Sequence, residues 1–189
     1  MLFAIARSKN NEGITAKQQV VIREPVRSVE SFSHKLEKIK SAARLRNLKF
    51  NIYISVNARD AKKAYSNFKK KLTEYELQAM FGQTDYEYQL SRLHKVWYSA
   101  LMQPNVRATK YFLIDIDTKS LITCQTVRDT IYDWEVNGNT SEILLEQETR
   151  NGWHYVTTPF DVRILKSIKD VEVKTDGLLF LEVIGFDAE

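Results

Sequence analysis

Tyr111-Phe112-Leu113-Ile114-Asp115-Ile116-Asp117 is an apolar run of strand-forming residues carrying two aspartates two positions apart. Side chains of a strand alternate between faces, so Asp115 and Asp117 project from one face while Ile114 and Ile116 enter the other. Crowding two carboxylates together is costly without compensation, and a hard divalent cation such as Mg²⁺ or Mn²⁺ is the usual partner. The same pair at a solvated strand end needs no ligand, so the surrounding chain has to decide between the two.

Downstream, Leu121, Val127, Ile131 and Trp134 place the inward face of a helix over 118–134, closed by an Asn137-Gly138-Asn139 turn. A β run over 142–149 turns at Arg150-Asn151-Gly152 and returns over 153–158. An Asn-Gly pair between two such runs is the strongest short-range hairpin signal. Pro159 stops that strand, 160–167 reads as helical, and a last hairpin is expected over 171–184, turning at Thr175-Asp176-Gly177.

Upstream, residues 2–7 and 18–24 read as strands joined by a polar loop. Val29, Phe32, Leu36, Ile39 and Ala43 recur at helical spacing, with Lys35, Lys38, Lys40 and Arg44 between them. A strand over 48–56 delivers Asn57-Ala58-Arg59-Asp60. Ala61, Ala64, Phe68 and Leu72 then mark a helix whose other positions carry Lys62, Lys63, Lys69, Lys70 and Lys71. Leu90, Leu93, Trp97 and Leu101 mark a further helix, interrupted near Gly82 and closed by Pro104. Tyr86, Tyr88, Trp97 and Tyr98 fall at helical spacing and are expected in the core. Helices mixed with strands that group into hairpins predict an α+β fold: one compact domain over 1–189, a mixed or antiparallel sheet with flanking helices.

Composition is that of an ordinary globular chain, with 43% hydrophobic and 28% charged residues. No apolar run approaches the roughly 20 residues of a membrane span, and the opening segment is too short for a signal peptide, so no membrane association and a cytoplasmic address are expected. Cys124 is the single cysteine, which excludes a disulfide framework and a cysteine-based zinc module. Charge is polarised along the chain: Lys and Arg outnumber Asp and Glu by 21 to 9 over residues 1–110, and are outnumbered 7 to 15 over 111–189. A basic part beside a carboxylate-rich part suits a metal-using enzyme that handles polyanions.

His154 follows the Gly152 turn on a strand whose neighbours Trp153 and Tyr155 point the other way. It can donate to a phosphate oxygen, with Arg150 and the turn amides adding donors, or be an ordinary surface histidine. Taken together, three segments resemble, in order, the signatures of the archaeo-eukaryotic primase (primase-polymerase) superfamily. They are the hydrophobic-Asp-hydrophobic-Asp strand Leu113–Asp117, the segment Thr149-Arg150-Asn151-Gly152-Trp153-His154, and Asp176 ahead of the apolar strand Leu178–Leu181.

The resemblance covers residues from about 48 onward and implies a minimal RRM-like catalytic core. It implies that Asp115, Asp117 and Asp176 hold two Mg²⁺ or Mn²⁺ ions and that His154, with Arg150 and Asn151, contacts the nucleotide. Asp170, Glu172 and Glu182 are the alternatives to Asp176. The implied activity is nucleotidyl transfer from NTP or dNTP on a single-stranded template, as a DNA primase or polymerase of a virus or mobile element, working with a helicase or other replication protein. Lys62, Lys63, Lys69, Lys70 and Arg59 would track the nucleic-acid backbone. Two other readings use the same residues: a catalytically degenerate nucleotide- or nucleic-acid-binding accessory protein, and a metal-dependent nuclease.

Overall fold

Two apolar strands joined by a polar loop open the chain, and a third follows the first helix. β1 (Leu2–Ala6) pairs antiparallel with both β2 (Val20–Glu24) and β3 (Phe50–Ser55), and helix α1 (Val29–Arg44) runs between β2 and β3. These assignments come from a computed structural model that describes residues 1–82, 85–136 and 138–185; Asn137 of the expected turn and the side chain of Tyr86 lie outside the described residues. Ser28 caps α1 by accepting the N–H of Ser31, which satisfies one of the orphan donors of the first turn. Phe32, Leu36, Ile39 and Ala43 then pack on Leu2, Ala4, Phe50 and Ile52 of the sheet. The lysines on the outside of α1 are partly neutralised. Lys35 and Lys38 lie 2.6 and 3.1 Å from the Glu24 carboxylate, and Lys40 lies 2.8 Å from Glu182.

Residues Asn57–Thr109 form a compact helical unit of their own, containing α2 (Ala61–Met80), α3 (Tyr86–Ser91) and α4 (Leu93–Leu101). Asp60 caps α2 by accepting the N–H groups of Lys62 and Lys63. Phe68 of α2 meets Trp97 of α4 edge to face, ring centres 5.6 Å apart, as the helical spacing predicts for a core pair, whereas Tyr88 is exposed. The ends of the unit are tied together: Ala108 N–H donates to Ala58 C=O at 2.9 Å and Asp60 N–H to Val106 C=O at 2.8 Å.

The rest of the chain joins residues 1–56 in the other unit. In order come β4 (Phe112–Ile116), α5 (Leu121–Tyr132), the two-residue strands β5 (Glu135–Val136) and β6 (Asn139–Thr140), β7 (Ile143–Glu148), β8 (Trp153–Thr157), a 3₁₀ turn (Val162–Leu165), β9 (Val171–Lys174) and β10 (Leu178–Ile184). β7, β8, β4 and β9 form an antiparallel sheet in that order, so β4 is central, between β8 and β9. Ile114, Ile116 and Tyr155 enter one face and pack with Cys124, Val127 and Ile131 of α5 and with Phe160 and Leu165. Leu121, expected inward, is exposed; Cys124, three residues before Val127, takes that place as a buried free thiol. The expected α+β class, with antiparallel sheets and flanking helices, is what the chain forms.

The closing hairpin does not form. The turn falls at residues 175–177 as expected, but β9 pairs with β4 and β10 with β3, which gives a first sheet ordered β10-β3-β1-β2. Gly177 accounts for the parting: a Cβ there would lie 2.5 Å from the Cβ of Leu113, so only glycine lets the backbone pass this close to β4. The Gly177 carbonyl then accepts the N–H of Val56 at 3.2 Å, and the chain continues along β3. Among the described residues no helix is long and apolar enough to cross a membrane.

Candidate active site

Strand alternation turns the other face of β4, with Leu113 and Asp115, away from α5. Asp115 pairs in register with His154 on β8 and with Glu172 on β9, and His154 pairs in turn with Gln147 on β7. Directly opposed residues share a face with Cβ atoms roughly 5 Å apart. Gln147, His154, Asp115 and Glu172 therefore form one polar row across all four strands, on the face turned away from α5.

The two aspartates are not equivalent. Asp115 lies within the strand and is half-buried; Asp117 lies one residue past its end and is exposed, its N–H donating to the Asp170 carbonyl at 2.8 Å. Beside Asp117 sits the β7–β8 turn. A Cβ on Gly152 would stand 1.8 Å from the Ile116 carbonyl oxygen and 2.8 Å from the Thr118 nitrogen, so the turn rests directly on the backbone leaving β4. Thr149 holds the turn in shape: its N–H donates to the Gly152 carbonyl at 2.8 Å, and its Oγ1 accepts the Gly152 N–H at 3.2 Å. Arg150 and Asn151, at the exposed tip, are thereby brought to the Asp117 end of β4.

His154 is only 9% exposed. Its Nε2 lies 3.2 Å from Asp115 Oδ1, while its Nδ1 is buried and, among the described residues, without a hydrogen-bond partner. The other oxygen of Asp115, Oδ2, accepts from the ammonium of Lys174, which also lies 3.0 Å from Glu172. The hydrogen bond from His154, opposed by burial and reinforced by Lys174, holds the Asp115 carboxyl at about 2. Burial works against the charge of Lys174, but its bonds to Asp115 and Glu172 outweigh it and raise the ammonium above its ordinary value. The centre is thus an ionised carboxylate gripped by an imidazole on one side and a cation on the other.

Of the residues singled out in the sequence, Asp115, Asp117 and His154 come together with the Arg150-Asn151-Gly152 turn. Asp176 does not join them in the ladder: it lies four residues past Glu172, in the turn into β10, and a strand moves ~3.3 Å per residue. Among the alternatives, Asp170 lends Asp117 its backbone carbonyl and Glu182 belongs to β10, paired with Lys40. Glu172 alone faces Asp115 directly. Sequence reasoning missed Lys174 and Gln147; the alternation Val171-Glu172-Val173-Lys174, a repeat of that in β4, was the available signal.

In the helical unit, Lys62, Lys63, Lys69 and Lys70 are exposed along α2 and, among the described residues, take part in no ion pair. Arg59 immediately precedes the cap of that helix and bridges to Arg107 across the neck of the unit. A cleft of about 390 Å³ beside the lysines is lined by Lys70, Lys71, Glu74 and Tyr75 together with Ser99 and Gln103. Asn57, at the end of the strand before Arg59, is buried and accepts the hydroxyl of Thr109 at 3.2 Å.

The chain matches no family model, no curated protein and no solved structure.

The donor set bears on whether a divalent cation fits. Among the described residues no three His, Cys, Asp or Glu side chains converge as a ready-made metal site. Two carboxylates of neighbouring strands, Asp115 and Glu172, are nevertheless drawn together around one cation, the ammonium of Lys174, with Asp117 at the adjacent strand end. Oxygen donors of this kind, bridged by a stand-in positive charge, fit Mg²⁺ or Mn²⁺ in chemistry.

Proposed function

We propose that the protein is a metal-dependent nucleotidyltransferase of the primase-polymerase type, joining NTP or dNTP to a nucleic-acid strand at the Asp115 end of the β7-β8-β4-β9 sheet. The observation that carries this reading is the cross-strand row in which His154, Asp115 and Glu172 stand side by side on neighbouring strands, with a glycine-tight turn beside Asp117. Strand order supports it too. The succession β4, α5, β7, β8, 3₁₀ turn, β9, with the first strand between the third and fourth, is the order the RRM-like reading expects.

Asp115, Asp117 and Glu172 are the carboxylates that would hold the metal. Bound there, Mg²⁺ or Mn²⁺ supplies activation of the attacking hydroxyl and neutralisation of the leaving pyrophosphate. The chain's own residues orient and bind. His154 fixes the direction of Asp115; Arg150 and the amides of its turn offer donors to phosphate; in the helical unit, the exposed α2 lysines offer positive charge to a nucleic-acid backbone, with little sequence preference.

The test is incorporation of labelled nucleotides on single-stranded DNA with Mn²⁺ or Mg²⁺, with and without a primer. Wild type is expected to give metal-dependent product, Asp115→Asn and Asp117→Asn to lose at least about 100-fold of the rate, a deficit of roughly 3 kcal/mol in transition-state stabilisation, and Asp176→Asn to stay near wild type. Unchanged extension by Asp115→Asn would sink the reading. A second reading, a binding module with degenerate catalysis, is favoured by the bond between Lys174 and Asp115; strand binding without any product would establish it.

A further inference from the structure

We infer that Lys174 is a built-in, displaceable counter-cation that holds the metal position of the Asp115 centre closed until a divalent ion takes its place. The inference rests on the functional reading above and concerns how that same site is loaded.

Three features of the structure lead to it. First, the ammonium contacts Oδ2 of Asp115 and Glu172 together, so it occupies the bridging place between the two carboxylates best placed to share a cation. Mg²⁺ needs its oxygens at about 2.1 Å and in near-octahedral array, and an ammonium standing between the two carboxylates occupies the place from which one ion would draw an oxygen of each. Second, the other oxygen of Asp115 is held by His154, which is pinned by its own burial, so the carboxylate is kept facing Lys174. Third, Lys174 can leave. Its side chain is 36% exposed on the outer strand β9, and a flexible four-carbon stem lets the ammonium swing into water without moving the ladder.

The arrangement has a reciprocal consequence. In the metal-free protein Lys174 stabilises a half-buried carboxylate, and in the loaded protein the same charge competes with the ligand. Removing it must weaken the first state and strengthen the second.

Mn²⁺ binding tests this without any turnover, by the electron paramagnetic resonance signal of free Mn²⁺ and by calorimetry on the full chain, comparing wild type with Lys174→Met, Lys174→Gln and Asp115→Asn. Lys174→Met is expected to bind Mn²⁺ about tenfold more tightly, the scale of a charge-assisted hydrogen bond. Lys174→Gln, which keeps a donor to Asp115 without the charge, should move in the same direction and serves if the methionine variant does not fold. Asp115→Asn should abolish binding. Equal or weaker Mn²⁺ affinity in both folded Lys174 variants, with binding still lost in Asp115→Asn, overturns the role of Lys174 and leaves the metal site standing. Absence of Mn²⁺ binding in all folded proteins overturns this inference and the metal-dependent reading with it.

Discussion

Replacing Gly152 by alanine adds one methyl group at the point where the β7–β8 turn rests on β4. The new carbon would stand 1.8 Å from the Ile116 carbonyl oxygen, 2.9 Å from its carbon and 2.8 Å from the Thr118 nitrogen. A relaxed contact between carbon and oxygen is about 3.3 Å, so turn and strand must separate by roughly 1.5 Å. All three obstacles are backbone atoms of the central strand or its exit, and none can rotate away. Overpacking of this kind costs about 1–3 kcal/mol, and opening the turn also strains the two Thr149–Gly152 hydrogen bonds, each worth about 1 kcal/mol. The expected loss is therefore about 3–5 kcal/mol, read from urea unfolding followed by far-UV circular dichroism. Asn151→Ala, one residue away at the exposed tip, should stay within about 0.5 kcal/mol and separates crowding from general damage to the turn. A Gly152→Ala protein as stable as the Asn151→Ala control would refute the close approach, and with it the argument that the turn is held against Asp117.

Acid should weaken wild type through Asp115. Its carboxyl titrates at about 2 in the fold against an ordinary value of 3.8, so the stability it contributes is complete above about pH 4 and is lost as pH falls towards 2. Lowering the titration point of a carboxyl by one pH unit on folding is worth ~1.4 kcal/mol. Between pH 5 and pH 2, therefore, wild type should lose up to about 2 kcal/mol more than Asp115→Asn in urea unfolding; parallel curves for the two proteins would count against the His154 and Lys174 contacts. Reversing the α2 charges, with Lys62, Lys63, Lys69 and Lys70 all changed to glutamate, should weaken single-stranded DNA binding uniformly across sequences. The slope of log affinity against log salt should fall by up to about 3 in fluorescence anisotropy, since each phosphate contact contributes ~0.7 on a single strand. An unchanged slope would exclude α2 as the strand-binding surface.

Local signals made most of the architecture legible. The Asp115 strand alternates as its residues dictate, the Asn-Gly turn makes the β7–β8 hairpin, and Ser28 and Asp60 start their helices with capping side chains. What escaped was decided by pairing over long distances. Thr175-Asp176-Gly177 carries a hairpin turn signal, yet the chain parts there into two sheets, because β4 and β3 both offer edges to pair with and Gly177 lets the backbone pass between them. No windowed pattern contains that information. The interruption expected near Gly82 falls where α2 ends, at Met80, but the helix marked by Leu90, Leu93, Trp97 and Leu101 breaks at Arg92, between Leu90 of α3 and Leu93 of α4.

The same distinction governs the third carboxylate. Chain order and the apolar run that follows it singled out Asp176, in the turn that Gly177 brings against Leu113, but a residue stands directly opposite Asp115 in the ladder only by lying on a strand paired with β4, on the same face and at the same level. Val171-Glu172-Val173-Lys174 meets all three conditions once β9 is recognised as the partner of β4: its valines join the Ile114 side and its charged residues the Asp115 side. An acid and a base two positions apart then arrive together, so the strand that supplies Glu172 also supplies the cation that balances it. Geometry of this kind makes the carboxylate and its counter-charge inseparable in the fold. For that reason Lys174, rather than another aspartate, is the residue whose removal should tell most about what the site is built to hold.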